Sequence, residues 1–91
     1  MKTMHVVISG LVQGVGFRYF AMQKARAFGI RGYVRNLYTG EVEVVAQAEE
    51  EILHAYLADL RIGPRSAQVS SIRLVWQDDA EMYNSFDIRG T

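Results

Sequence analysis

The sequence predicts an α/β (α+β) sandwich in which two helices cover one face of a mainly antiparallel sheet. Three observations predict it. Apolar residues recur with a helical period in two separate segments, Phe17 to Phe28 and Ile52 to Leu60. Strand-like runs flank both segments, which gives the order β-α-β-β-α-β followed by an extra short C-terminal strand. The two middle runs are joined around Tyr38-Thr39-Gly40, a short glycine-containing connection typical of a hairpin.

The first strand is expected from His5 to Val12; it is nearly all apolar and therefore central. The first helix follows from Phe17, with Phe17, Phe20, Ala21, Ala25 and Phe28 on its inner face and Gly29 as its stop. Gly32 to Leu37 and Glu41 to Gln47 form the hairpin strands. In the second of these, Val42, Val44 and Ala46 alternate with Glu41, Glu43 and Gln47, with Val45 breaking the polar side. Glu49, Glu50 and Glu51 suit the positive end of the second helix. Ile52, Leu53, Tyr56, Leu57 and Leu60 make its buried stripe, and Gly63-Pro64 ends it. Ala67 to Trp76 is the next strand. Val69 falls out of phase with Ile72, Leu74 and Trp76, which predicts a bulge near Ser70-Ser71. A polar loop, Asp78 to Asn84, leads to a last strand from Ser85 to Arg89 carried by Phe86 and Ile88. Two right-handed crossovers put both helices on the same face, the ferredoxin-like arrangement. That arrangement hosts many unrelated activities, so function has to come from the site.

Residues 1–91 are read as one domain. A chain of this length hides roughly 60–65% of its unfolded surface, and its 49% hydrophobic content suffices for that. No apolar run approaches the roughly 20 residues of a membrane-spanning helix. Met1-Lys2-Thr3 leads straight into a strand, without the pattern of a signal peptide, so a cytoplasmic protein is expected. There is no cysteine, hence no disulfide, thiolate nucleophile or cysteine metal site. Ten basic residues balance ten acidic ones, which speaks against nucleic acid as a partner.

Chemistry concentrates at Ile8-Ser9-Gly10-Leu11-Val12-Gln13-Gly14-Val15-Gly16-Phe17-Arg18. An apolar strand breaks into glycines and meets an arginine where a helix begins. Glycine lets main-chain N–H groups crowd a ligand, and the helix start adds unpaired donors and a partial positive charge. Together these seat an anion, phosphate above all, with the fork of Arg18 at its rim. The nucleotide P-loop pattern is absent, and Tyr19 stands where a dinucleotide fingerprint needs its third glycine. The same glycines also fit a strand-to-helix turn that binds nothing; spacing alone leaves both readings open.

Other sites fare worse. Only two histidines occur, His5 and His54, and they read as a strand-end and a helix-surface residue rather than zinc ligands. Ser9 lacks a nucleophile elbow. The glutamates at 49–51 are consecutive and share no helix face, so no metal site is expected. Tyr33 and Tyr38 could stack on RNA bases. However, Arg31-Gly32-Tyr33-Val34-Arg35-Asn36 departs from the RNA-recognition signature at Val34 and Arg35.

The loop resembles the signature of the acylphosphatase family at Gly10, Val12-Gln13-Gly14-Val15, Phe17 and Arg18. Gly32-Tyr33-Val34-Arg35-Asn36, with Gly40 and Val42, resembles that family's second signature. Gly63-Pro64, Ala67, Val69 and Trp76 extend the similarity over most of the chain. The second signature usually ends in glycine where Ala48 stands, so the turn into the second helix is expected to differ. The resemblance implies a hydrolase that cleaves acyl phosphates to a carboxylate and inorganic phosphate, the latter both product and inhibitor; because Arg18 and the loop amides already face the phosphoryl oxygens and no ligands cluster, no metal or cofactor is expected. It implies that Arg18 binds the phosphoryl group together with the main-chain N–H groups of Gln13, Gly14, Val15, Gly16, Phe17 and Arg18. Asn36 would hold the attacking water. A monomer acting on a small molecule, away from membranes and nucleic acids, is expected. The second hypothesis keeps the fold but makes it a module that grips phosphate or carbamoyl phosphate for a larger enzyme.

Overall fold

The computed structural model describes residues 1–78 and 80–90. Its elements run β1 (Lys2–Leu11), α1 (Phe17–Ala27), β2 (Arg31–Asn36), β3 (Val42–Ala48), α2 (Glu50–Ile62), β4 (Gln68–Gln77) and β5 (Phe86–Arg89). They build one five-stranded sheet in the order β4-β1-β3-β2-β5. The first four strands pair antiparallel, whereas β5 runs parallel to β2 at the edge. The predicted sandwich is therefore present, with strand boundaries displaced by up to three residues.

The helices bury their apolar stripes on one side of the sheet. Phe17, Ala21 and Ala25 of α1 and Leu53, Tyr56, Leu57 and Leu60 of α2 share a core with Met4, Val6, Ile8, Val34, Val42, Val44 and Ala46. Because strand side chains alternate, Thr3, His5, Val7, Glu43, Val45 and Gln47 face the other way. Strand β3 is nonetheless buried along its whole length. It lies between β1 and β2, and its polar residues gain partners there. Glu43 accepts hydrogen bonds from His5 and Arg35, and Gln47 bonds the backbone of Glu81 and Tyr83. Burial raises the Glu43 pKa, but the His5 and Arg35 bonds outweigh it and hold the carboxyl below its ordinary range. His5 is thus not at a strand end, since β1 already starts at Lys2 and the ring is half-buried against Glu43.

The bulge falls where Val69 predicted it: Ser9 pairs with Ser71 but Gly10 pairs with Val69, which leaves Ser70 extra. Gly10 is required there. With φ at 129°, a Cβ on it would lie 2.1 Å from the Gln68 carbonyl oxygen. Ala48 remains in the ladder opposite Lys2, and the chain turns into α2 at Glu49 with φ −63° and ψ 147°. Alanine is therefore accommodated as the last residue of β3.

Candidate functional site

The end of β1 and the start of α1 enclose the glycine loop. Gly14 and Gly16 take φ of 74° and 79°, the left-handed region that side chains disfavour. Gly16 caps α1 without any side-chain hydrogen bond, and the first helical bond runs from the Phe20 N–H to the Gly16 carbonyl at 3.1 Å. Among the described residues, no main-chain N–H from Gly14 to Tyr19 donates to another backbone group. The loop thus presents a run of unpaired donors at the positive end of a helix that has no acidic residue in its first turn.

Arg18 lies in that first turn, half-buried, and forms no ion pair among the described residues. Its five donors are therefore open to an external anion. Asn36 arrives from the far end of β2, opposite Val42. Val12, Gly16, Phe17, Arg18, Tyr19, Asn36 and Ile88 line one cavity of about 250 Å³. The two side chains singled out from the sequence, 18 positions apart, thus meet in one place. The Asn36 Oδ1 atom is buried and has no hydrogen-bond partner among the described residues. A buried acceptor without a partner is costly, and this one belongs to a residue that lines the cavity with Arg18 and Gly16.

Phe17 contributes its amide to the loop while its ring is buried in the core, 5.9 Å from that of Phe20. Val15 packs half-buried against the same core. Gln13 has a role that the sequence did not reveal. Its Nε2 donates to the Leu37 carbonyl at 2.8 Å and to the Glu41 carbonyl at 2.9 Å, tying the loop to the β2–β3 hairpin just beyond Asn36. Glu41 is itself fixed: its carboxylate accepts from Ser9, Thr39 and Arg73, and the Ser9 bond above all keeps it ionised to lower pH than usual. Tyr19 and Ile88, unremarkable in the sequence except as a helix and a strand residue, also border the cavity. Tyr38 stands 94% exposed on the hairpin turn and touches none of this. Among the described residues no three His, Cys, Asp or Glu side chains gather as a metal ion would need, and no helix is long and apolar enough to cross a membrane.

Comparison with known proteins agrees with this fold. The topology is that of a small ferredoxin-like α/β sandwich, with Arg18 and Asn36 lining one cavity beside the glycine loop. The acylphosphatase family model matches residues 4–88, and the chain belongs to that family. An acylphosphatase of Caldanaerobacter subterraneus is 44% identical over 87 residues, covering 96% of this chain and 97% of the relative. The crystal structure of acylphosphatase from Bacillus subtilis superimposes with a TM-score of 0.95 at 30% identity, over 98% of this chain and 99% of that one. Full-length HypF in its phosphate- and nucleotide-bound form contains a similar domain, with a TM-score of 0.91 at 27% identity. That match takes in 98% of this chain but only 12% of HypF.

Proposed function

We propose that the chain hydrolyses the carboxyl–phosphate anhydride of small acyl phosphates, with Arg18 and the loop amides from Gln13 to Arg18 holding the phosphoryl group and Asn36 holding the water. The observation that carries the residue assignment is that Asn36 lines the same cavity as Arg18, which forms no ion pair among the described residues. A water held by the side-chain amide of Asn36 keeps a lone pair free to approach phosphorus. The P–O bond to the acyl group breaks as the water oxygen bonds to phosphorus, and the carboxylate leaves with the electron pair. The water's proton passes to a phosphate oxygen, because no carboxylate or histidine lines the cavity among the described residues.

Phosphoryl transfer asks mainly for positioning and for charge stabilisation around a loose transition state. Fixed amides and a guanidinium supply both without reorganising during the reaction. A carboxylate is a weakly basic leaving group and needs little protonation, so the absence of a general acid is tolerable. We assign no metal to this step, and inorganic phosphate, which presents the same oxygens to the cradle, is expected to inhibit. Monomeric behaviour and a cytoplasmic setting belong to the same reading. Turnover of benzoyl phosphate by the purified chain, before and after exhaustive dialysis against a chelator, tests it. Equal activity in both samples is expected. Activity lost on dialysis and restored by magnesium or zinc would overturn the metal-free step.

A further inference from the structure

The two sides of the Arg18 cavity are held with unequal firmness. The glycine loop is anchored from below, because Val12 and Phe17 are buried in the core and Val15 packs against it. The β2–β3 hairpin, which brings Asn36 to the cavity, ends in Tyr38, Thr39 and Gly40, all exposed. Core packing therefore fixes the loop, and the hairpin end depends on polar ties. Those ties converge on Glu41. Its main-chain carbonyl accepts from the Leu37 N–H at 2.9 Å and from Gln13 Nε2 at 2.9 Å. Its carboxylate reaches beyond the hairpin: Oε2 accepts from Ser9 Oγ of β1 at 2.8 Å and from Arg73 of β4 at 3.2 Å, while Oε1 accepts from Thr39 at 2.9 Å.

Glu41 does not line the cavity, and the reaction as derived above makes no use of its charge. Its neighbours do matter to that reaction. Leu37, which it pairs with, follows Asn36, and Val42, which follows it, lies opposite Asn36 in the ladder. We infer that Glu41 is a positioning residue: anchored on Ser9, it holds the hairpin end against the glycine loop and so keeps Asn36 in place relative to Arg18. This rests on the role given to Asn36 above. The anchors differ in weight. Arg73 is 66% exposed, where an ion pair contributes little, whereas the Ser9 hydroxyl makes a part-buried bond to a charged acceptor. The side that moves on losing Glu41 is the hairpin, so the water-holding group shifts while the phosphate cradle stays.

The test uses Glu41→Ala, Ser9→Ala, Arg73→Ala and Glu41→Gln, each checked for folding. Misplacing a reacting group by an ångström costs up to about a hundredfold, so a hairpin that is loosened but still paired should lower kcat roughly tenfold in Glu41→Ala. Ser9→Ala should lose less, Arg73→Ala almost nothing, and the inhibition constant of inorganic phosphate should stay within about twofold of the parent in all of them. Glu41→Gln should recover most of the activity, since its amide oxygen can accept from Ser9 while its NH2 donates to Thr39. Hydrogen exchange of the Gln13 side-chain amide, followed by NMR, gives a readout independent of turnover: it should be slow in the parent and in Glu41→Gln, and faster in Glu41→Ala. Parent-like kcat and parent-like Gln13 exchange in Glu41→Ala would overturn the inference, as would equal losses of kcat and phosphate binding. An inactive parent would instead sink the hydrolase reading, and Gln13 exchange would still decide whether Glu41 holds hairpin and loop together.

Discussion

Removing the Gln13 side chain should loosen the loop from the hairpin that carries Asn36. In the parent, one amide nitrogen donates to two main-chain carbonyls, those of Leu37 at 2.8 Å and Glu41 at 2.9 Å. A hydrogen bond of this kind contributes a net 0.5–1.5 kcal/mol, so Gln13→Ala should lower stability by about 1–3 kcal/mol. Both carbonyls are only partly buried and can recruit water, which places the expected value near the lower end, about 1–2 kcal/mol. For a domain of this size that corresponds to a fall in Tm of roughly 5–12 °C. Gln13→Glu should be worse, because a carboxylate offers acceptors to two carbonyl oxygens. Activity at a temperature where both proteins are folded should drop by about tenfold, equivalent to about 1.4 kcal/mol of lost transition-state stabilisation. Calorimetry and steady-state kinetics on benzoyl phosphate read both effects. Parent-like Tm and kcat in Gln13→Glu would refute the idea that this side chain joins the two halves of the site.

Three further outcomes are expected. Gly16→Val forces a branched residue into φ near 79°, where open space does not relieve the backbone strain; inorganic phosphate, which should raise the Tm of the parent, should then no longer do so, and an equal rise in both proteins would place the anion elsewhere. Glu43 is held below its ordinary pKa, so its contribution to stability is complete above the unfolded value of about 4.3 and is lost as pH falls through the native value. The Tm difference between parent and Glu43→Gln should therefore shrink from pH 7 to pH 3, and a constant difference would contradict the sign. Asn36→Ala should lower kcat by about ten- to a hundredfold while the phosphate inhibition constant changes less than about twofold; loss of phosphate binding as well would make Asn36 structural.

Most of the fold was legible because local signals agreed. Helical spacing from Phe17 and from Ile52, the Gly40 connection and Gly63-Pro64 each set one element, and the misphased Val69 marked the bulge. Strand β3 was read as half-polar since alternation reports the chemistry of a face and not its cover. Glu43 and Gln47 are buried through partners on β1, β2 and the loop before β5, which no local pattern announces. Backbone and charge arguments pointed to the glycine loop and Arg18 but left a strand-to-helix turn that binds nothing equally open. They did not point to Asn36, whose role came from the family resemblance. The clamp by Gln13 was invisible for a plainer reason. Its partners are main-chain carbonyls 24 and 28 residues away, and a carbonyl carries no mark of residue type. Ile88 was legible as a strand residue, but its place at the cavity depends on β5 pairing with β2, a choice made by tertiary packing.

On the proposed mechanism the guanidinium of Arg18 grips the phosphoryl oxygens by shape as well as by charge. Arg18→Lys keeps the charge and gives up the fork. Benzoyl phosphate hydrolysis by this variant, with folding verified by its circular dichroism spectrum and Tm, is the most direct measurement. A loss of about 10²–10³ in kcat/KM is predicted, the scale of removing one fixed donor from a charge-stabilising site. Turnover near the parent rate in a folded Arg18→Lys protein would contradict it.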